Sequence, residues 1–214
     1  MASDAVPAPG APASRRANGL AFAAAILAFG FIGSRLLGIV RTVAIAGAFG
    51  STGDIEAYWV AFRLPDLIFQ VLAGATLGSA FIPVFARLYL NEGEGRAWEL
   101  ASRVLNLVTA ATALLCVVAF VFAPVLVPLT APGLGDDAGR ASELNAEAVR
   151  LTRIMLLSPL LFSVSGMLTG MLNARQQFLL PALAPMLYNL AIIFGAVVLS
   201  GPFGIEGLAV GVVA

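Results

Sequence analysis

Arg35, Arg41, Arg63 and Asp66 stand inside stretches of chain that are otherwise almost wholly apolar. On insertion scales each such charge costs roughly 2.5–3.5 kcal/mol at mid-bilayer, so the four together cost on the order of 10 kcal/mol. A set that expensive is expected to face a partner or a water-filled cavity and not lipid. Arg keeps its charge at every working pH, and its planar fork of donors grips phosphate bidentately. A hollow with more guanidinium than carboxylate suits an anionic, phosphorylated substrate.

Spacing supports one shared polar face. Glu56, Arg63, Asp66 and Gln70 fall at i, i+7, i+10 and i+14, close to a single stripe of a helix. Arg63 and Asp66 are three apart and are expected to pair. Arg35, Gly38 and Thr42 share a stripe too. Arg41 lies about 120° around an ideal helix from Arg35, so a bend near Gly33 or Gly38, or a wide cavity, is needed to unite them. The blander reading is that each Arg snorkels to an interface, or that Arg63 and Asp66 form a structural ion pair. One snorkelling Arg explains one charge and leaves the others unexplained.

Other chemistry is poorly served. The chain has no His and one Cys, Cys116, which sits in an apolar run. The commonest general base and metal ligand are therefore missing, and so is any internal disulfide. No nucleophile–base set, paired metal ligands or phosphate-binding glycine loop is visible. The expectation is a protein that is not an enzyme and uses no cofactor or metal. The formal net charge is zero, from 12 basic and 12 acidic residues, which argues against nucleic acid as a partner.

The elements that must position these charges are membrane spans. Hydrophobic residues make up 60% of the chain and charged residues 11%. A soluble domain carries about 25% charged residues, so this one cannot cover a globule with polar surface. A span needs about 20 mostly apolar residues. Six stretches qualify, at about 19–49, 58–90, 98–129, 149–172, 181–199 and from 203 to the last residue, 214. The fold class expected is all-α, a polytopic membrane bundle. The Ala/Pro-rich residues 1–18 read as a disordered tail, with a twin-arginine export signal as a weaker reading of Arg15-Arg16. The last stretch is still apolar at Ala214, which suggests a chain cut within its sixth helix.

Loop charges suggest an orientation. Arg15 and Arg16, then Arg87, Arg96 and Arg103, then Arg175 fall on one side. The other side has only Arg140 in its loops, with Arg150 and Arg153 at the start of the fourth span blunting the contrast. The N-terminus is therefore expected in the cytoplasm. The acidic 131–148 segment is expected outside, as a short amphipathic interfacial helix. Gly74 and Gly78, and Gly166 and Gly170, form small-residue pairs that allow close helix packing, and Pro65, Pro83, Pro181 and Pro185 allow kinks.

Several longer motifs then resemble a known family. They are Ser34-Arg35-Leu36-Leu37-Gly38-Ile39-Val40-Arg41, Ala57-Tyr58-Trp59-Val60-Ala61-Phe62-Arg63-Leu64-Pro65-Asp66-Leu67, and Gly78-Ser79-Ala80-Phe81-Ile82-Pro83-Val84-Phe85. Thr130-Ala131-Pro132-Gly133-Leu134 and Leu180-Pro181-Ala182-Leu183-Ala184-Pro185-Met186-Leu187-Tyr188-Asn189 add to them. From about Leu20 to its end the chain is similar to the start of the MurJ (MviN) lipid II flippases.

That resemblance implies the MOP flippase superfamily, with two lobes, of which residues 19–214 would be most of the N-terminal one. It implies lipid II as partner, an undecaprenyl-pyrophosphate-linked disaccharide-pentapeptide, moved between the leaflets of the bacterial inner membrane by alternating access. Membrane potential or an ion gradient would drive it, and the C-terminal lobe of the same chain would be the other partner. The family's cavity arginines map onto Arg35 and Arg41 with Ser34 beside them, a cavity basic position onto Arg63, and an acidic position onto Glu56. With Asp66 from the stripe above, these are the candidate substrate-binding residues. The chain departs from the family's pattern at Thr42, where Asp is frequent, and at Phe69 and Gln70, where some members carry Arg. An exporter of another lipid-linked oligosaccharide, a drug antiporter and a non-transporting membrane scaffold are the competing readings; a drug antiporter should have acidic residues dominating its cavity.

Overall fold

The computed structural model describes residues 13–50, 53–74, 81–135 and 138–214. Among the described residues every regular element is helical. The elements are α1 (Ala13–Phe49), α2 (Gly53–Phe69), a π-helical turn (Gln70–Gly74), α3 (Ile82–Asn91), α4 (Glu94–Thr130), α5 (Ala138–Met155) and α6 (Ser158–Ala174). After these come α7 (Leu179–Phe194), a second π-helical turn (Gly195–Leu199), α8 (Ser200–Phe203) and α9 (Ile205–Val213). Among the described residues, four helical stretches are long and apolar enough to cross a membrane: Ala24–Phe49, Glu94–Thr130, Gly139–Ala174 and Leu179–Phe203. They match the first, third, fourth and fifth spans expected from the sequence.

The second expected span is present as an interrupted path. Going down α5 and α6, Gly53 meets Leu144, Thr152 donates to the Ala61 carbonyl, Phe69 packs edge-on against Phe162, and Gly170 meets Ile82. The path α2, π turn, α3 therefore runs the whole length of its neighbour, parallel to it. Pro65 inside α2 and Pro83 in the first turn of α3 lack the N–H that an unbroken helix would use. Gly78 of the first small-residue pair lies outside the described residues. Gly170 of the second does pack closely: a methyl added there would stand 3.0 Å from the Ile82 side chain.

Two other expectations shift. Helix α1 begins at Ala13, ahead of Gly19, while residues 1–12 of the expected tail lie outside the described residues. The 131–148 segment does not make a separate interfacial helix. Its second half is the start of α5, because Leu144, Ala148, Leu151 and Met155 recur at helical spacing and bury against α2. The chain turns back after α8 through Gly204, at φ 56° and ψ −139°, so that α9 lies against the second π turn and α7.

Polar contacts give the directions of the helices. Thr112 of α4 meets Ser163 of α6, and Phe120 meets Arg153 of α5, so this pair is antiparallel. Gly30, Gly33 and Ser34 of α1 meet Ala182, Met186 and Asn189 of α7 in the same order, so this pair is parallel. Exposed Val117, Val121 and Val125 on α4 and Phe29, Ile32, Ile39 and Val43 on α1 leave apolar flanks of the kind a bilayer covers.

Candidate functional site

The charged residues depend on how α1 is held. A Cβ at Gly30 would stand 2.6 Å from the Ala182 Cβ, and one at Gly33 would stand 2.8 Å from the Met186 side chain. These glycines let α1 and α7 approach backbone to side chain. Just beyond them, Asn189 Nδ2 donates to the Ser34 carbonyl and to Ser34 Oγ, both at 3.3 Å, and to the Pro185 carbonyl at 2.9 Å. Pro185 fits this arrangement. Asn189 has been recruited to its carbonyl, and Pro185 itself cannot donate back along α7. Ser34 is thereby a locking residue, half-buried between the helices.

Arg35 follows Ser34 and so points away from α7. It is exposed, with its guanidinium 5.2 Å from the centre of the Phe31 ring. Arg41 is half-buried and lies within electrostatic reach of the Tyr58 and Tyr188 hydroxyls. Helix α1 passes through Gly33 and Gly38 without a break, so Arg35 and Arg41 stay on different sides of it. Thr42 spends its hydroxyl on the Gly38 carbonyl, 3.0 Å away. Between the end of α1 and the start of α2, Glu56 is exposed and lines an open cleft of about 350 Å³ with Thr42, Ile45, Ala46, Ile55 and Trp59.

The expected ion pair between Arg63 and Asp66 is not formed. Arg63 Nη1 donates to the carbonyl of Thr130, the last residue of α4. The final turn of a helix has carbonyls with no internal partner, and a cation there is doubly favoured. Asp66 instead accepts from Gln70 Nε2 at 2.6 Å, one turn further along. The stripe seen in the sequence is real, but its members are engaged with different neighbours.

Among the described residues the ion pairs are Arg103 with Glu99, Arg150 with Glu206 and Arg175 with Glu94. None of them uses Arg35, Arg41 or Arg63. The structure therefore seats Ser34 on Asn189, leaves Arg35 exposed beside Ser34 and half-buries Arg41. It does not gather all six candidates at one enclosed hollow. Asn189, which holds candidate Ser34, is the residue that the charge analysis passed over. Asn189 was detectable as a lone amide in an apolar helix, where an unpaired polar group is costly.

Such a bundle, with apolar helices long enough to span a bilayer and arginines outside any of these ion pairs, defines a multi-pass membrane protein. The sequence profile of the family described as "Lipid II flippase MurJ" matches residues 45–214, and the chain belongs to that family. Glu56, Arg63 and Asp66 lie within the match, while Ser34, Arg35 and Arg41 precede it. A relative from Burkholderia cenocepacia named lipid II flippase MurJ is 36% identical over 164 residues, covering 77% of this chain and 31% of its own. Relatives named probable lipid II flippase MurJ come from Rhizobium tropici, 31% identical with 76% of this chain and 30% of theirs covered, and from Synechocystis, 30% identical with 86% and 33% covered. The chain spans about a third of the length of these curated relatives.

Proposed function

We propose that this chain is the N-terminal lobe of a lipid II flippase in the bacterial cytoplasmic membrane, exporting peptidoglycan precursor by alternating access. The undecaprenyl tail stays in lipid while the pyrophosphate and its sugar-peptide cross between lobes. Arg35 and Arg41, on different sides of α1, attract the phosphorylated headgroup at successive points of its path, with Ser34 fixing the first of them. Glu56, Arg63 and Asp66 shape the polar path along α2. The observation that carries this reading is that, among the described residues, Arg35, Arg41 and Arg63 make no ion pair with a protein carboxylate. Guanidinium in a spanning helix calls for an anion, and a phosphorylated headgroup supplies one.

The helix directions and the arginine distribution support a cytoplasmic N-terminus. Arg175 and Glu94 meet at one end of the bundle, the end from which α7 and α4 start. Since α1 runs parallel to α7, its N-terminus belongs to this end, which also carries Arg96 and Arg103. Arginine excess marks the cytoplasmic side.

The test is complementation in the full-length parent protein. Arg35→Ala and Arg41→Ala should each insert normally, fail to support growth, and leave lipid II accumulating on the inner leaflet. Growth and lipid II distribution at wild-type levels for both single variants would overturn the assignment.

A further inference from the structure

A second basic site lies away from the face just described. Helices α4 and α5 enclose a groove of about 440 Å³ lined by Pro124, Pro128, Asn145, Val149, Arg150 and Arg153. Among the described residues no acidic side chain lines it. Pro124 has no N–H to give the Phe120 carbonyl one helical turn back. Arg153 fills that gap: its Nε donates to the Phe120 oxygen at 3.2 Å, and its guanidinium stacks 5.0 Å from the Phe120 ring centre. One N–H is thus used for positioning, and the terminal nitrogens remain for a ligand. Arg150 is three residues earlier and donates through Nη1 to Glu206 at 2.9 Å. Its side chain is still 70% exposed, so the rest of its fork is open.

A further feature specifies the occupant. Below the groove, Val121 and Val117 continue the stripe of Pro124 along α4 and are 60% and 61% exposed. Phosphate-binding guanidiniums above and an apolar track beneath match one kind of molecule in a bilayer.

We infer that the α4–α5 groove binds an anionic phospholipid, its phosphate on Arg150 and Arg153 and an acyl chain along Val121 and Val117. The site is distinct from the proposed substrate face and does not depend on what the lobe transports. Anchoring α5 to α4 through a lipid would stiffen the packing at the Pro-containing end of α4.

Native mass spectrometry of the full chain in neutral detergent tests this, with phosphatidylglycerol, phosphatidylcholine and inorganic phosphate as separate probes. Phosphatidylglycerol should be retained at least about tenfold more tightly than phosphatidylcholine, a difference of the size expected for charge-assisted phosphate contacts. Inorganic phosphate alone should not be retained. Arg150→Gln should weaken phosphatidylglycerol retention, while Arg103→Gln, on a distant exposed pair, should not. Arg153→Gln should weaken it as well; should that variant fail to fold for want of its Phe120 contact, Arg150→Gln decides. Equal retention of both lipids, retention of phosphate without lipid, or an Arg150→Gln variant that binds like the wild type would each overturn the inference.

Discussion

Asn189 and Ser34 join α7 to α1 through a single amide nitrogen, which donates to both the main-chain and the side-chain oxygen of the serine. The residue after Ser34 is Arg35, so this contact sets the height and rotation at which that guanidinium leaves the helix. Asn189→Ala removes the donor and leaves Ser34 Oγ in a half-buried seam. The expected loss is about 1–2 kcal/mol of stability, seen as a lowered Tm in detergent, together with impaired complementation in the full-length parent. Asn189→Ser, which can still donate to one of the oxygens, should recover part of the activity. Unchanged complementation by Asn189→Ala would show that α1 is positioned by its glycines alone.

The glycine seam has its own test. Gly30→Ala places a methyl where the Ala182 Cβ already stands, 2.6 Å away. Helices α1 and α7 must then separate, at a cost of about 1–3 kcal/mol typical of overpacking. Gly47→Ala, on the same helix with nothing within 4 Å, should be neutral or slightly stabilising. The two variants are compared by thermal unfolding in one detergent, and an equal Tm for both would refute the close approach.

Arg63 has a structural duty as well as a proposed functional one. Because it caps the C-terminal carbonyl of α4, Arg63→Ala should lower the Tm of the substrate-free protein, by an amount equivalent to about 1–3 kcal/mol. Arg63→Lys should retain part of that, since an ammonium still favours a helix C-terminus. Asp66 is engaged elsewhere, so the double variant Arg63→Ala/Asp66→Ala should be additive to within about 0.5 kcal/mol. A larger coupling would mean that the two side chains do meet.

Gly204 turns the chain between α8 and α9 at a positive φ of 56°. Gly204→Ala should cost about 1–2 kcal/mol from backbone strain alone, because no neighbouring atom would meet the new methyl. Proteolysis between α8 and α9 should become faster as the turn loosens. Gly201→Ala, three residues earlier in helical geometry and also in open space, serves as the comparison and should not change the rate.

Much of this protein can be read without coordinates. Apolar runs long enough to span a bilayer, scarce charge and Gly/Pro punctuation require an all-α membrane bundle, because hydrocarbon forbids unpaired backbone and a lone helix satisfies its own. The excess of guanidinium over carboxylate in the first two spans follows from the sequence as well, since a charge inside an apolar run is costly wherever the helix ends. What a linear pattern could not decide was who answers each polar group. Arg63 and Asp66 share a stripe, yet the nearest orphan carbonyl for Arg63 belongs to Thr130, far along the chain. Asn189 meets Ser34 only because Gly30 and Gly33 admit α7 to contact. The second span keeps its direction, because packing along α5 and α6 holds α2 and α3 in line. Periodicity specifies which side of a helix is polar. Which neighbour stands opposite that side depends on helix packing between distant segments, and this is decided only when the whole bundle is assembled.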